Sequence, residues 1–483
     1  MNWMAPSASE PPDERTVGVV GLGYVGLPLA VAFAEAGFAV IGMDSNTERI
    51  DQLRAGVSPI VDVSDARLAA ALADGFGVEA PSEAIVRGCD VLFVCVPTPI
   101  DAAKNPDLTA VRAAAATLAA GLRPGHLVVL QSTTYPGTTN GPFRAELEQS
   151  GLVAGRDFDL AYAPERINPG DPASGGSNIP RLVGGTTDRA TSRAVRLLLR
   201  ISDRVVPLSS PDAAELAKLH ENVFRNINIA LVNQLALLCE RMGVDVWEVI
   251  DAAATKPFGF MRFSPGPGVG GHCIPVDPYY LAWRAREFDF VDRFVEAAGD
   301  INLSMPRHVA SLASAALNDR SLPIRGSRIG VIGVAFKPNV SDARNSPAAE
   351  ILSLLAERGA EVSYHDPHVD AFSARSGRRY ATTGLDDLLA GSDLVIIVTP
   401  HDAIDWDLVF ARADLIVDTV NRSMGRAVRA RQVLRLGAGW SVQRPPEGRI
   451  SPANADDRLA TDGTGPRDRR APAPALRAGS SSS

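Results

Sequence analysis

The chain has 483 residues, enough for two or three domains, and its 46% hydrophobic and 22% charged residues are ordinary for a globular protein with sizeable cores. A formal net charge of −8 gives no reason to expect nucleic acid or an anionic membrane as a partner. Four cysteines without a CxxC motif or a Cys/His cluster argue against a disulfide framework and against a metal site. No apolar run is long enough to span a membrane, and residues 1–15 lack the apolar core of a signal peptide, so we expect a reducing cytoplasm.

The first predicted elements form a dinucleotide-binding unit. A buried strand at Thr16–Val20 runs into a GxGxxG turn and an Ala-rich helix, and a second strand over 38–43 ends in Asp44. Asp44 follows the last glycine by 18 residues, where an acid binds the adenosine ribose. Glycines let backbone amides reach the pyrophosphate, and a carboxylate repels a 2'-phosphate, so the pattern favours NAD over NADP. The cofactor contacts expected from this unit are Gly21, Gly23, Tyr24, Val25, Gly26 and Asp44.

Strands and helices continue to alternate, which predicts a doubly wound parallel sheet with ligands at the carboxyl ends of its strands. The predicted strands are Cys89–Val96, His126–Leu130 and Phe158–Tyr162, and the predicted helix is Asp107–Leu122. The polar residues that follow these strands are Pro97, Thr98, Ser132, Thr133 and Glu165. Glu165 is a candidate acid or base, although an ordinary solvated charge on a loop explains a lone glutamate better.

A long helix is predicted to begin at Ser209-Ser210-Pro211 and to run to Arg241, with Gly243 as its C-terminal stop. Apolar residues cover much of its circumference, so it needs burial on several sides and is expected to lie between domains and subunits. Lys218 and Asn222 are four residues apart and share one face of this helix. They form either a buried polar site or a stripe that faces solvent.

A glycine-rich loop over 265–271 leads to Cys273, and Asp277-Pro278 then begins another helix with Asp277 as its N-cap. The glycines bring the backbone close to a neighbour that side chains would push away. A cysteine just ahead of the positive end of a helix favours the thiolate, the form that attacks carbon. The alternative is a buried structural cysteine beside a glycine turn.

After a helical stretch to about Leu317, the alternation begins again and predicts a second, smaller α/β domain. Its predicted elements are strands over Arg328–Ile332, Glu361–Tyr364, Asp393–Val398 and Leu415–Asp418, and a helix over Pro347–Glu357 capped by Ser346. The first turn of this domain lacks GxGxxG, so no second dinucleotide is expected there. Lys337 and Arg344 in its loops either hold phosphate or ribose or are ordinary solvated charges. Beyond Gln443 the composition predicts a disordered tail.

Seven motifs occur in an order that resembles the UDP-glucose/GDP-mannose dehydrogenase family, the nucleotide-sugar 6-dehydrogenases. Within residues 15–440 they are GLGYVGLP, CVPTP, QSTTYPGTT, APERINPG, ELAKLHENVFRNINIALVNQ, GGHCIPVDP and GVAFKPNVSDARNSP. The resemblance implies an α/β fold in which two Rossmann-like doubly wound domains are joined by a long central helix and a helical dimerisation region. The expected segments are a disordered 1–14, an NAD-binding 15–207, a central helical 208–320, a UDP-sugar-binding 321–443 and a disordered 444–483.

The resemblance also implies a reaction: the four-electron oxidation of a primary alcohol of a UDP-sugar to a carboxylate, with two NAD and a homodimer or higher homo-oligomer. Cys273 adds to the intermediate aldehyde and holds it as a thiohemiacetal and then a thioester while the cofactor is exchanged. Lys218 and Asn222 stabilise the oxyanion. Glu165 acts as acid or base in the hydrolysis, and Thr133 and Asp277 position water.

The resemblance assigns further binding residues. The implied NAD contacts outside the glycine turn and Asp44 are Arg49, Pro97, Thr98, Ser132 and Thr133. The implied substrate contacts are Glu165, Arg166, Lys218, Asn222, Arg262, Gly270, Gly271, Lys337 and Arg344. Arg262 stands closer in sequence to the cysteine than the arginine that some family members offer across the dimer.

One departure from the family pattern bears on the substrate. Members acting on UDP-glucose usually carry Lys where Val276 stands, and the GGHCI form resembles the branch that oxidises UDP-N-acetylhexosamines. The TKPFGFM stretch at 255–261 favours UDP-N-acetylglucosamine, with UDP-N-acetylgalactosamine, UDP-N-acetylmannosamine and UDP-glucose as alternatives. Two other classes stay open. A two-electron hydroxyacid-type dehydrogenase has no use for a nucleophilic cysteine, and a non-catalytic sensor of NAD or nucleotide sugar has no use for the full set of reactive side chains.

Overall fold

The computed structural model describes residues 14–60, 62–101, 103–166, 179–374 and 377–441. The two segments that were predicted to be disordered, 1–14 and 444–483, lie outside these residues except for Glu14. Part of the APERINPG motif, from Ile167 onward, also lies outside them. Within the described residues, no helix combines the length and the apolarity needed to cross a membrane.

An eight-stranded sheet forms the N-terminal part, in the order β3-β2-β1-β4-β5-β6-β7-β8. Neighbouring strands are parallel except for β6 and β7, which run antiparallel. The parallel pairing predicted for the earlier strands is confirmed, and β7 had not been predicted. The strands are β1 (Thr16–Val20), β2 (Ala39–Met43), β3 (Gly77–Glu79), β4 (Val91–Val94), β5 (Leu127–Leu130), β6 (Asp159–Tyr162), β7 (Arg181–Gly185) and β8 (Val205–Leu208). The chain leaves β1 for β2 on one side and later places β4 on the other, which opens a crevice at their carboxyl ends.

Helices cover both faces of this sheet because its central strands are apolar along their whole length and need burial on both sides. Two separate buried clusters result, one on each face. The helices are α1 (Gly26–Glu35), α2 (Thr47–Arg54), α3 (Asp65–Ala73), α4 (Glu83–Gly88), α5 (Thr109–Gly121), α6 (Arg144–Leu147) and α7 (Asp188–Leu198), with a π-helical turn at Thr139–Phe143.

The central helix α8 spans Pro211–Met242, 32 residues in all, close to the predicted range. Ser210 caps it by accepting a hydrogen bond from the Ala213 amide, and Gly243 ends it in a left-handed conformation with φ of 70°. Three further helices complete this region: α9 (Val246–Ala254), α10 (Asp277–Arg286) and α11 (Arg293–Asp319). Because α10 and α11 both pack along α8, its polar face is buried although it carries charged residues.

A six-stranded sheet forms the C-terminal part, in the order β10-β9-β13-β14-β15-β16, and a separate hairpin pairs β11 with β12. Only the β15–β16 pair of the larger sheet is antiparallel. The strands are β9 (Arg328–Ile332), β10 (Glu361–His365), β11 (Ala371–Ser373), β12 (Arg379–Ala381), β13 (Leu394–Ile397), β14 (Ile416–Asp418), β15 (Val433–Arg435) and β16 (Gly439–Trp440). The helices are α12 (Pro347–Glu357), α13 (Leu385–Gly391) and α14 (Trp406–Arg412).

The two large sheets repeat one turn. Gly21 after β1 and Gly333 after β9 have φ values of +91° and +82°, and each backbone amide binds the carbonyl of the last residue of the next strand. An acid follows that strand in both cases: Asp44 accepts from the Leu22 amide at 2.9 Å, and Asp366 accepts from the Val334 amide at 2.7 Å. The second domain therefore keeps the Rossmann-like turn without the GxGxxG pattern.

Candidate active site

The glycine turn after β1 has the close packing that a dinucleotide site requires. A Cβ on Gly26 would lie 1.8 Å from the carbonyl oxygen of Gly21, so no other residue fits there. Asp44 is buried at the crevice, where it also accepts from the Asn46 amide at 2.9 Å and lies 3.6 Å from the Arg49 guanidinium. Tyr24 is exposed at the mouth of the turn, beside Val25 at the start of α1. These residues fit NAD at the amino end of α1.

The loops after β4 and β5 meet at the same edge of the sheet. Ser132 donates to the Val96 carbonyl at 2.7 Å, which places the Pro97–Thr98 segment beside Ser132 and Thr133. Tyr280 of α10 donates to the Pro99 carbonyl at 3.0 Å. The helix that follows the cysteine loop is thereby fixed to the cofactor edge of the first sheet.

Asp277 does not have its predicted role as an N-cap. It lies inside the first turn of α10, with Val276 at the N-cap position and no side-chain cap. Its carboxylate turns instead toward α8, where Asn222 Nδ2 donates to Asp277 Oδ2 at 2.6 Å. The Cys273 carbonyl accepts from the Asp277 amide at 2.8 Å, so the cysteine precedes the helix by one tight turn.

The buried polar face of α8 surrounds Asp277. Lys218, Asn222 and Asp277 are all less than a tenth exposed. Burial raises the pKa of Asp277 to about 6, while the Lys218 ammonium, the Asn222 hydrogen bond and the Arg225 guanidinium hold it down. Arg225 also donates to Asn222 Oδ1 at 3.0 Å and thereby fixes the orientation of the amide. Lys218 and Asn222 therefore form a buried polar site and not a solvent-facing stripe.

Cys273 lies against this group, and its surroundings favour the thiol. Although the residue has exposed surface, the protein around its sulfur raises the pKa from the usual 9.0, and the Asp277 carboxylate raises it further. Lys218 and Arg225 oppose this shift. The prediction of a lowered thiol pKa is therefore wrong, because burial and a nearby carboxylate outweigh the positive end of α10.

Glu165 lies on the loop after β6. Its Oε2 accepts from Arg181 Nη1 at 3.0 Å and from Gln131 Nε2 at 3.4 Å. The neighbouring Arg166 forms an ion pair with Glu221 of α8 at 2.6 Å. Glu165 is thus a paired carboxylate and not a solvated charge. Arg181 was not among the predicted site residues, because β7 itself was not predicted.

Loops of the second sheet pack against the cysteine loop. Asn345 donates to the Gly271 carbonyl at 3.0 Å, and a Cβ on Gly270 would lie 2.9 Å from Phe336. Asp342 pairs with Arg344 at 2.8 Å, and the Arg344 guanidinium lies 5.4 Å from the centre of the Tyr24 ring. The glycine turn of the first sheet, the cysteine loop and the first loop of the second sheet therefore meet.

Lys337 and Arg262 were also predicted to contact the substrate. Lys337 is half-buried in the first loop of the second sheet, with its ammonium 5.9 Å from the centre of the Phe336 ring. Arg262 is paired with Asp251 at 2.8 Å and donates to Ser264 at 2.7 Å. Among the described residues there is no group of three or more His, Cys, Asp or Glu side chains that could hold a metal ion.

Comparison with known proteins shows which protein family this chain resembles. Residues 15–201, 212–304 and 330–423 match in turn the NAD binding, central and UDP binding domains of the UDP-glucose/GDP-mannose dehydrogenase family. The chain is 40% identical over 388 residues to UDP-N-acetyl-D-glucosamine 6-dehydrogenase of Pseudomonas aeruginosa, which covers 80% of this chain and 90% of that relative.

Two solved structures are similar over nearly their whole length. A UDP-D-ManNAc dehydrogenase of Pyrococcus horikoshii matches with a TM-score of 0.80 and 33% identity, covering 88% of this chain and 99% of that one. A UDP-glucose dehydrogenase of Pyrobaculum islandicum matches with a TM-score of 0.77 and 30% identity, covering 91% and 100%. The three relatives are named for three different sugars.

The electrostatics around Cys273 predict two opposite effects on its alkylation by iodoacetamide. Lys218→Met removes a charge that lowers the thiol pKa, so the rate at pH 8 should fall, roughly threefold to tenfold. Asp277→Asn removes a charge that raises this pKa, so the rate should rise. The wild-type rate should still be increasing above pH 9, because the pKa is raised from 9.0. Intact-protein mass measures the rates, with Cys273→Ser as background; shifts in the same direction would contradict this account.

Proposed function

This chain belongs to the UDP-glucose/GDP-mannose dehydrogenase family, and we propose that it oxidises the C6 primary alcohol of a UDP-N-acetylhexosamine to the carboxylate, with NAD as the acceptor. The observation that carries the proposal is the meeting of Cys273 with the buried Lys218, Asn222 and Asp277 at the edge where the cofactor turn ends. A nucleophile beside a buried ammonium and amide suits a reaction in which negative charge develops on oxygen.

The proposed chemistry assigns one task to each group. NAD, when bound at the amino end of α1, would supply the hydride acceptor for both oxidations of C6, and the hydroxyl proton of the alcohol would pass to water. Cys273 adds through its sulfur to the aldehyde carbon and its proton passes to the aldehyde oxygen, giving a thiohemiacetal. Loss of a hydride from C6 and of the hydroxyl proton in the second oxidation then yields a thioester. Water then cleaves the thioester, releasing the carboxylic acid and restoring the thiol. Covalent attachment keeps the aldehyde in the site between the two oxidations.

Lys218 and Asn222 are proposed to hold the C6 oxygen. Each lies on a buried helix face, where a hydrogen bond to an oxyanion is stronger than it would be in water. Arg225 supports this role, because it occupies the amide oxygen of Asn222 and leaves the amide nitrogen free to point toward Asp277 and the reacting oxygen. Sequence reasoning had not selected Arg225.

Glu165 and Asp277 are proposed to act in the hydrolytic half, with Thr133 helping to place the water. The Arg181 contact at 3.0 Å holds the Glu165 carboxylate in one orientation. Burial raises the pKa of Asp277 to about 6, so this carboxyl takes up and releases a proton near neutral pH. All four cysteines are free, and a nucleophilic thiol suits a reducing compartment such as the cytoplasm.

UDP-N-acetylglucosamine is the proposed substrate, with the N-acetylmannosamine, N-acetylgalactosamine and glucose nucleotides as alternatives in that order. Support comes from the relative with 40% identity, which is named for UDP-N-acetyl-D-glucosamine. The Pyrococcus structure, named for UDP-D-ManNAc, supports the first alternative. Val276, where the UDP-glucose enzymes usually carry Lys, separates the chain from that branch.

We also propose a homodimer, because α8 carries an exposed apolar stripe. The stripe consists of Phe224, Leu231 and Leu238, which follow one another at intervals of seven residues and are 42%, 61% and 51% exposed. Residues at this spacing lie on one face of a helix, and three large apolar side chains on one exposed face indicate a protein contact. A second copy of α8 provides a matching apolar surface.

A panel of UDP-sugars assayed with NAD tests the reaction and its substrate together. The expected product is a uronic acid identified by mass, with two NADH formed per sugar and UDP-N-acetylglucosamine preferred over UDP-glucose by roughly one to two decades in kcat/KM. Cys273→Ala should bind NAD but form no acid. One NADH per sugar would indicate a two-electron dehydrogenase, and equal rates with UDP-glucose would overturn the sugar assignment alone.

Asp44 is expected to decide the choice between the two nicotinamide cofactors. Asp44→Asn removes the carboxylate that repels a 2'-phosphate and leaves Arg49, 3.6 Å from it in the native protein, available to pair with that phosphate. The ratio of kcat/KM for NADP to that for NAD should rise by about tenfold or more. Asp51→Asn changes an exposed carboxylate on α2 and serves as the control. An unchanged ratio in Asp44→Asn would contradict the assignment.

Leu231→Glu in the apolar stripe is expected to convert the dimer into a monomer, because it places a charge at the centre of the proposed contact. Sedimentation at several concentrations measures the mass. Leu322→Glu is the matched control, since Leu322 is 41% exposed but lies beyond the end of α11, outside the stripe. A wild-type protein of monomer mass, or a Leu231→Glu protein of dimer mass, would refute this contact.

A further inference from the structure

Glu215 is a fully buried carboxylate to which the proposed chemistry gives no task. It lies on α8 three residues before Lys218 and seven before Asn222, so all three share one face of the helix. Residues at such positions in a solvent-facing helix would be ordinary charges. Here the carboxylate is enclosed by the protein, and burying it is costly unless its oxygens are hydrogen-bonded.

Among the residues that the structure describes, the side-chain hydrogen bonds of Glu215 come from one segment, residues 134–139, which follows Thr133. The Gly137 amide donates to Oε2 at 2.7 Å. The Thr139 amide and hydroxyl donate to Oε1 at 2.9 and 2.7 Å, and the Thr134 hydroxyl lies 3.4 Å from the same oxygen. Glu215 therefore binds two backbone amides that have no strand or regular helix to satisfy them.

The opposite side of this segment is held by α10. Arg284 donates from Nε to the Pro136 carbonyl at 3.0 Å, and its guanidinium lies 2.9 Å from where a Cβ of Gly137 would stand. Gly137 has a φ of +96°, which suits glycine and allows this approach. The segment is thus held between the helix that carries Lys218 and the helix that begins at Asp277.

The position of Thr133 depends on these contacts. Thr133 stands between β5, which fixes it on one side, and segment 134–139, which fixes it on the other. Ser132 is bound to the Val96 carbonyl, but no strand pairing continues beyond Leu130. The contact between Glu215 and the two amides therefore joins the Thr133 loop directly to the helix that carries Lys218 and Asn222.

We propose that Glu215 is a positioning residue, whose carboxylate fixes segment 134–139 on α8 and so places Thr133 relative to Lys218 and Asn222. The functional half of this inference rests on the proposed function, because it needs the task assigned to Thr133. The structural half, that the carboxylate holds the segment, stands without it. A displacement of the loop by about 1 Å suffices to change a rate by up to a hundredfold.

Glu215→Gln is the sharpest variant, because it keeps the shape and one acceptor but sets an NH2 group against a backbone donor of the segment. Hydrogen exchange followed by mass spectrometry should show peptides covering 134–139 exchanging at least about tenfold faster than in the wild type. In the same protein, kcat for the UDP-sugar should fall by about tenfold to a hundredfold. The Kd for NAD should stay within about twofold, because Glu215 does not contact the glycine turn.

Asp212→Asn is the matched control. Asp212 lies one turn earlier on α8 and is exposed, and its Oδ1 accepts from Asn140 at 2.9 Å, so it meets the same stretch of chain without holding the amides. Exchange in 134–139 and kcat should both stay at wild-type values. Thr139→Val removes the hydroxyl donor while keeping Glu215. It should speed hydrogen exchange in 134–139 and lower kcat, each by less than Glu215→Gln does. It also decides the question if Glu215→Gln does not fold.

Hydrogen exchange reports whether Glu215 holds segment 134–139, and kcat reports whether that contact matters for the reaction. Faster exchange together with a lower kcat supports the proposal. Unchanged exchange overturns it, and faster exchange with an unchanged kcat overturns the positioning role. A wild-type protein that oxidises none of the UDP-sugars would refute the proposed function and with it the functional half, while the exchange measurement would still decide whether Glu215 holds the segment.

Discussion

The structure depends on keeping charged groups out of water beside Cys273. Asp277 and Lys218 are both buried, and the cost of burying either one alone would be several kcal/mol. They compensate each other only while α8 and α10 keep their register, which the 2.6 Å hydrogen bond between Asn222 and Asp277 fixes. The same arrangement that is costly for stability gives the thiol a neighbour of each charge sign. Stability and reactivity are therefore set by one group of side chains.

Three separate parts of the chain complete the site, and none of them could form it alone. The first sheet supplies the glycine turn and the loops after its strands, and α8 supplies the buried amine and amide. The loops of the second sheet support the cysteine loop through Asn345 and Phe336. Movement between the sheets would change the surroundings of Tyr24, Cys273 and Arg344 together.

Local signals made much of the fold predictable. The helix at Pro347–Glu357 and the strands at Thr16–Val20 and Arg328–Ile332 have the predicted bounds, since caps and apolar runs are encoded by adjacent residues. The site was less predictable, because its contacts join distant residues. Asp277 was expected to cap its own helix, but its carboxylate binds Asn222, 55 residues away. Arg181 and Glu215 gave no signal for the same reason: their partners are set by how β7 and α8 pack.

The regularity of α8 has a consequence for how this chain can change. Each residue of a helix turns it by about 100° and advances it by about 1.5 Å. Between Glu215 and Asn222, a single inserted or deleted residue would rotate one end of the buried face away from the other and leave a charge without its partner. Relatives of this chain can therefore differ by substitutions between Glu215 and Asn222, but hardly by insertions or deletions. An exposed turn such as the one at Gly75, between α3 and β3, has no comparable constraint, so length differences among relatives should collect in turns of that kind.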